Sequence, residues 1–422
     1  MDCQRENCLS GHAGIYIHIP FCIKKCHYCD FYSISDLSLR SSFVSALSEE
    51  IRLRSQPSLK VDTLYLGGGT PSTLTCEEIE RIMGAVRENF SIMDDTQITM
   101  EVNPGTITDR GRTDILDTET DKTDWLRTLH TSSCHDISPD HYLSTIHTIG
   151  VNRLSIGVQS FDDKKLRFLK RIHSADAARK TIAAARNAGF QDIGVDLIYG
   201  LPEESETIWR NDLEAALQYH PEHISCYMLS YEPDTPMFTS YKKGKIIPLD
   251  EQRTSSLFRL TSDYLLSKGF SHYEISNFAA KPENQSRHNK KYWEMAPYLG
   301  FGPSAHSYDG ALERSWNIKS VDRYISTLAQ NRLPLMEREF LTNGQREMEM
   351  IMLGLRTDQG VDIGSFERLS GSNFNIMFQT VLERVENMGW GKLSPGESFS
   401  LTLDGRLFLD TIIRWFVESM DI

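Results

Sequence analysis

Short apolar runs rich in β-branched residues recur along the first half of the chain at 15–19, 61–66, 98–102, 153–158, 193–198 and 223–229. Between them lie longer stretches, 43–54, 77–89, 175–188 and 206–219, whose apolar residues return every three or four positions. Brief continuous runs suit strands covered on both faces, and the longer period suits helices that do the covering. Their alternation predicts consecutive β-α units on a parallel sheet. Six such units predict a partial, open barrel with its functional groups where strands end and loops begin. Gly189 supplies the C-terminal stop of the helix before it.

The rhythm breaks at 108–136, which is rich in Thr and Asp and lacks periodicity. A connection this long without a pattern reads as a surface insertion, and its Trp125 and Cys134 read as local packing. Beyond 229 the alternation fades into a turn-rich link at 231–236, then a helix is predicted over 250–267. The segment 272–278 follows, then a polar and aromatic stretch at 287–293 and a glycine-rich one at 298–306. From about 342 the pattern turns mainly helical, with helices predicted at 347–355 and 374–388, then a short strand, turn and helix from 401 onward. The expected division is a tail at 1–13, a barrel at 14–235 with the insertion at 108–136, a linking region at 236–341 and a C-terminal domain at 342–422.

Composition narrows the function classes. A chain of 422 residues that is 40% hydrophobic can bury a full-sized core. Its net charge of −13 argues against general nucleic-acid affinity. No apolar stretch approaches the roughly 20 residues of a membrane span, and the start lacks the apolar core of a signal peptide, so the expected location is the cytoplasm. In a reducing compartment the scattered Cys3, Cys8, Cys76, Cys134 and Cys226 are not expected to pair, and Cys3 and Cys8 fall in what reads as a frayed terminus.

The other three cysteines, Cys22, Cys26 and Cys29, stand at C-x3-C-x2-C spacing in a loop directly after the first predicted strand. Structural zinc sites close with four ligands, whereas an iron–sulfur cube held by three cysteines keeps one iron free for an outside ligand. A zinc knuckle would need His27 as its fourth ligand, an awkward geometry for a residue adjacent to Cys26. The second strand ends in Gly67, Gly68, Gly69, Thr70 and Pro71, where bare backbone can come close to a ligand and offer its N–H groups. Glu101, Gln159 and Asp196 lie within or at the ends of predicted strands, positions that are costly for polar groups unless they face a wet or occupied site. Carboxylates and amides there can hold hydroxyls or an ammonium, and Arg171 suits a carboxylate.

With this cysteine loop the chain resembles the radical S-adenosylmethionine (SAM) superfamily, and within it the coproporphyrinogen-oxidase-like branch. The motifs that carry the resemblance are Tyr16-Ile17-His18-Ile19-Pro20-Phe21-Cys22, Gly67 to Pro71, Glu101-Val102-Asn103-Pro104-Gly105, the stretch from Arg153 to Ser160, Leu169-Lys170-Arg171-Ile172-His173 and the stretch from Asp196 to Pro202. The implied fold is α/β, a partial (β/α)6 barrel of radical SAM type with a mainly helical, winged-helix-like C-terminal domain. The resemblance implies a [4Fe–4S] cluster on Cys22, Cys26 and Cys29. It also implies a SAM pocket lined by Tyr16, Gly68, Gly69, Thr70, Glu101, Gln159, Arg171 and Asp196, with Tyr28 near the adenine. Thr70 stands where the wider superfamily carries an acid, a departure that matches this branch.

Two relatives within the branch differ at one position. The oxygen-independent coproporphyrinogen III oxidases continue to a fourth cysteine two residues after the third, whereas this chain has Phe31 there, as the HemW haem chaperones do. It also carries their H-N-x-x-Y-W motif as His288-Asn289-Lys290-Lys291-Tyr292-Trp293. An imidazole such as His288 can ligate haem iron, with Tyr292 and Trp293 flanking the macrocycle. In a helix, His288 and Tyr292 would share a face. His18, His173, His272 and His306 stay candidates for the ligand role. The resemblance therefore implies haem as cargo and an apo-haemoprotein acceptor such as a membrane-bound respiratory enzyme. It leaves open SAM cleavage and homodimer formation. The rival readings are an oxidase that decarboxylates porphyrinogen propionates and an electron-carrying cluster protein.

Overall fold

The structure is a computed structural model that describes residues 12–108, 138–394 and 397–420. Cys3, Cys8, Trp125, Cys134 and nearly all of the 108–136 insertion lie outside the described residues.

Six parallel strands run in sequence order: β1 (Ala13–Ile19), β2 (Gln56–Gly68), β3 (Phe90–Val102), β4 (Arg153–Gln159), β5 (Asp192–Tyr199) and β6 (His223–Met228). Their register separates two chemistries. Ile15 pairs with Leu64, Leu64 with Ile98, Met100 with Leu154, Leu154 with Ile193 and Val195 with Ile224, so one face is continuously apolar. That face carries the covering helices Arg40–Leu53, Cys76–Asn89, Pro139–Ile149, Ala175–Asn187 and Glu206–Leu217. The opposite face reads Tyr16 against Tyr65, Tyr65 against Thr99, Thr99 against Arg153, Glu101 against Ser155 and Asp196 against Ser225. A sheet coiled with this polar face inward has a lumen able to receive a polar ligand.

Local signals set the helix ends. Thr75 and Glu78 form a reciprocal capping box at the start of Cys76–Asn89. Ser138, Ser174 and Ser205 cap the next three covering helices, and Gly189 follows Ala175–Asn187 at φ +98°.

The sheet continues past both outer strands. On one side β8 (Asn277–Ala279) and β7 (Ser271–His272) add to β6 in antiparallel fashion. On the other, β9 (Tyr298–Phe301) runs parallel to β1, followed by β10 (His306–Tyr308), β11 (Glu313–Asn317) and β12 (Leu335–Phe340), each antiparallel to its neighbour. The barrel is therefore partial, with β12 and β7 as its two edges. The 236–341 region, expected to link the barrel to the C-terminal domain and to carry the His288–Trp293 motif, also contributes strands of its own. A second, separate core gathers residues from Ile351 to Met420 around Phe366, Phe374, Phe378 and Phe416. Helices there flank a three-stranded antiparallel sheet, β13 (Val361–Asp362), β14 (Gly391–Ser394) and β15 (Ser398–Leu401). The helix expected over 374–388 is two, Phe374–Met377 and Gln379–Asn387, broken where the buried Phe378 leaves helical geometry at φ −110°, ψ 17°. Among the described residues no helix is long and apolar enough to cross a membrane.

Candidate functional site

The cysteine loop leaves β1 through Pro20 and is closed at its base. Phe21 is fully buried, its ring edge-on to Phe43 at 5.3 Å. The Cys22 N–H donates to Ile34 O (3.0 Å), and the Ile34 N–H to Pro20 O (2.7 Å). Within the loop Cys29 N–H donates to Cys26 O at 3.3 Å, a tight turn that brings the second and third cysteines together. All three thiols are free and half-buried. Burial pushes Cys29 up to about 11 and raises Cys22, so each holds its proton until a cation replaces it. No three His, Cys, Asp or Glu side chains among the described residues converge closely enough for a single metal ion.

Two groups from the loops that follow strands reach the cysteine loop, Thr70 directly after β2 and Arg171 after the short helix Asp163–Phe168 that follows β4. The Thr70 hydroxyl lies 3.4 Å from Cys22 Sγ. Arg171 directs one guanidinium nitrogen at Cys26 Sγ (3.4 Å) and the Tyr28 hydroxyl (3.5 Å), and the other donates to Gly157 O at 2.9 Å. Burial works against the Arg171 charge, but Tyr28 and Cys26 more than offset it, so the pKa rises. Arg171 Nε and Asp196 Oδ1 are buried without a hydrogen-bond partner. Thr99 Oγ1 and Arg153 Nε on the same face are without a hydrogen-bond partner too, so the face holds several polar atoms that a polar ligand can complete.

Glu101 accepts from the Tyr65 hydroxyl at 3.0 Å and the Gly68 N–H at 3.2 Å. Burial in the lumen raises it to about 7, although both hydrogen bonds pull the other way. Asp196 accepts from the Ser155 hydroxyl at 2.8 Å, and burial raises it too. Gln159 ends β4 at φ +67°, a strained conformation for a residue with a side chain. The glycines of the second strand end have an internal reason. A Cβ at Gly68, where φ is +107°, would lie 2.5 Å from the His18 ring, and one at Gly69 would lie 2.7 Å from Phe21 O. The run is bare because it wedges against β1 and the base of the cysteine loop, which seats Thr70 beside Cys22.

The 287–293 motif is a helix, Arg287–Trp293, capped by Ser286 and plugging the lumen against β1 and β2. His288 and Tyr292 do share a face: the imidazole Nε2 and the phenol Oη are 2.9 Å apart. The other His288 nitrogen bonds the Thr63 hydroxyl at 2.9 Å, and its ring stacks on Tyr65 at 5.3 Å and Tyr16 at 6.2 Å. At 1% exposure His288 has both nitrogens occupied, and burial holds it neutral, down to about 3. Trp293 is not brought to this pair. It faces the second core, with Arg356 over its ring at 5.4 Å, in a crevice of about 240 Å³ shared with Tyr273 and Met350.

Three of the other candidate histidines are closed in the same way. His18 donates to Tyr32 O (2.9 Å) and accepts from Tyr16 (3.1 Å), His173 donates to Val158 O (3.0 Å), and His272 donates to Ile275 O (3.1 Å) and accepts from Ser262 (3.0 Å). All three are buried, and burial lowers their pKa to between about 3 and 4. His306 is exposed.

The sequence reading missed Tyr65, Ser155, Ser225 and Tyr227, which line the lumen around the chosen acids. Their signal was available as the alternation Thr63-x-Tyr65-x-Gly67 and Ser225-x-Tyr227 inside runs taken as wholly apolar. It also missed a buried ion network. Lys165 Nζ contacts Glu204 and, at 2.6 Å, Asp212. Asp212 accepts from Ser160 Oγ (2.8 Å) and the Phe161 N–H (2.7 Å), and Glu204 from the Gly200 N–H (2.6 Å). The network ties the loops after β4 and β5 to each other and to the helix Glu206–Leu217.

Comparison with known proteins agrees with this geometry. The radical SAM superfamily matches residues 16–216, and the HemN C-terminal domain matches 341–408. The "Heme chaperone HemW" of Bacillus subtilis is 31% identical over 412 residues, 96% of this chain and 99% of the relative. That of Escherichia coli strain K12 is 33% identical over 416 residues, 96% of this chain and 98% of the relative. Among solved structures, coproporphyrinogen III oxidase (HemN) from Escherichia coli, a radical SAM enzyme, superposes with a TM-score of 0.76 at 23% identity, over 97% of this chain and 91% of that one. This shows the α/β radical SAM fold with its mainly helical C-terminal part.

Proposed function

The chain belongs to the heme chaperone HemW family of radical SAM proteins, and we propose that it binds haem beside a SAM-ligated [4Fe–4S] cluster and passes the haem to an apo-haemoprotein. Cys22, Cys26 and Cys29 would hold the cluster, and Tyr16, Tyr28, Gly68, Gly69, Thr70, Glu101, Gln159, Arg171 and Asp196 would hold SAM. The observation that carries the cofactor half is the pair of buried, unpartnered atoms, Arg171 Nε and Asp196 Oδ1, on the polar face that meets the half-buried thiols. A bound cluster supplies one-electron reduction and, where turnover occurs, homolysis of the SAM sulfonium C–S bond.

This chain's own residues do the rest. Arg171 aims one guanidinium nitrogen at Cys26 Sγ, a hydrogen bond to sulfur of the kind that orients and tunes a metal-bound cysteine. Thr70 does the same for Cys22. Glu101, once ionised, keeps accepting from Tyr65 and Gly68 N–H while its remaining lone pairs face the lumen, able to take SAM hydroxyls or face its positive charge. The helix Arg287–Trp293 seals the far end of the lumen with the His288–Tyr292 pair and so limits water there.

The haem half rests on the full-length relationship to proteins named heme chaperones and on Phe31, 68% exposed beside the cluster loop, where the oxidases of the branch place a fourth cysteine. Anaerobically reconstituted protein should bind haem stoichiometrically, and haem-loaded protein should restore the spectrum of an apo-haemoprotein. Haem that stays free in the titration would remove the cargo from the proposal. Haem that binds and never transfers would remove the delivery.

A further inference from the structure

We propose that His306 ligates the iron of the bound haem, with Trp316 beneath its ring. This rests on the haem-binding reading above. A haem ligand needs an imidazole nitrogen with a free lone pair that iron can reach from outside, and four of the five candidate histidines are closed off. His18, His173, His272 and His288 are each less than a tenth exposed, and their ring nitrogens are held by protein atoms. His306 is exposed, and among the described residues no hydrogen bond reaches its ring, which stacks on Trp316 and is held toward the neutral form by partial burial and the Arg314 cation.

The fold holds that ring in place without consuming its nitrogens. His306 pairs across β10 and β11 with Trp316, and the two rings stack at 5.6 Å and 26°. Beneath them Gly300 of β9 sits so close to β10 that a Cβ there would lie 2.0 Å from His306 O, a crossing only glycine permits. The backbone that carries the imidazole is therefore fixed, and the indole restricts its rotation. A side chain exposed, oriented and unpaired is the preorganisation a metal ligand needs.

The position also connects it to the cofactor end. Tyr308 pairs with Tyr298, Tyr298 with Gly14, and Gly300 with Tyr16, so His306 and Tyr308 share the sheet face that carries Tyr16. Haem held there would lie along the same face as the SAM pocket. Binding forms one Fe–N bond from an imidazole lone pair and displaces a solvent ligand from the iron. No electrons are transferred.

The test is a haem titration of the cluster-loaded full chain, read by the Soret band and by the spin state in electron paramagnetic resonance. The parent is compared with His306→Ala, His306→Gly and Trp316→Phe. Loss of a direct ligand should weaken binding on the order of tenfold or more, since even second-sphere changes commonly cost that much, and it should abolish the imidazole-ligated spectrum. His306→Gly should regain that spectrum when free imidazole is added, which a merely unfolded variant cannot do. A His306→Ala protein with the parent's Soret position and affinity overturns this assignment alone. A parent that binds no haem overturns the haem-binding reading and this assignment with it.

Discussion

Substituting Glu101 by Gln isolates the charge of one carboxylate at the proposed SAM pocket. The amide can keep both internal contacts, its oxygen accepting from the Gly68 N–H and its nitrogen donating to the Tyr65 oxygen. The fold should therefore survive. What goes is the negative charge that would face SAM. Hydrogen bonds to a charged partner contribute about 1.5–3 kcal/mol and neutral ones about 1. The variant should thus lose about 1–2 kcal/mol of SAM binding, on the order of 5- to 30-fold in Kd. The pH dependence is sharper. With its pKa raised to about 7 by burial, Glu101 in the unliganded protein is about one-tenth ionised at pH 6 and about nine-tenths at pH 8. With the neutral form 5- to 30-fold weaker, the parent's affinity for SAM should rise about three- to eightfold across that interval through this group. The α-amino group of SAM titrates in both proteins, so the ratio of the two affinities is the readout. Calorimetric titration of cluster-loaded protein at pH 6, 7 and 8 measures it. A variant that matches the parent in affinity and in pH slope would refute the assignment of Glu101 to the pocket.

Replacing Cys22, Cys26 and Cys29 together by Ser should remove the broad visible absorbance of the reconstituted cluster while leaving far-ultraviolet circular dichroism unchanged; retained iron would point to another site. Gly68→Ala forces a Cβ to within 2.5 Å of the His18 ring at φ +107°, which should destabilise the protein by about 2 kcal/mol or more in denaturant unfolding, and a neutral result would contradict the wedged packing. His288, held neutral with a pKa near 3, binds fewer protons folded than unfolded. Its contribution is therefore complete above the unfolded value of 6.5 and is lost as pH falls toward 3. Relative to the parent, His288→Asn should lose about 1.4 kcal/mol per pH unit of slope in unfolding stability between pH 4 and 6, and parallel curves would show that His288 is not sealed.

The sequence was most informative where chemistry and local pattern coincide. The cysteine spacing, the six parallel strands and the i, i+4 pairing of His288 with Tyr292 all follow from short-range order, and all stand in the structure. The fates of the individual histidines could not be read, because their partners come from distant elements: Thr63 closes His288 from 225 positions away. The Lys165 network is equally non-local, joining residues 39 and 47 positions apart. The added strands were illegible for a different reason. β7 has two residues and β8 and β10 three each, too short to show a period, and they form only because β6 and β9 offer unpaired edges. The glycine run after β2 was found by its position, but its packing against His18 and Phe21 depends on how β1 and β2 lie together.

The central claim is that this chain carries haem and does not make its precursor. Anaerobically reconstituted protein, reduced and supplied with SAM, should be given haem in one vessel and coproporphyrinogen III in another. The account predicts a saturable Soret shift in the first and unchanged coproporphyrinogen III in the second. Protoporphyrinogen IX in the second vessel, or no Soret change in the first, would contradict it.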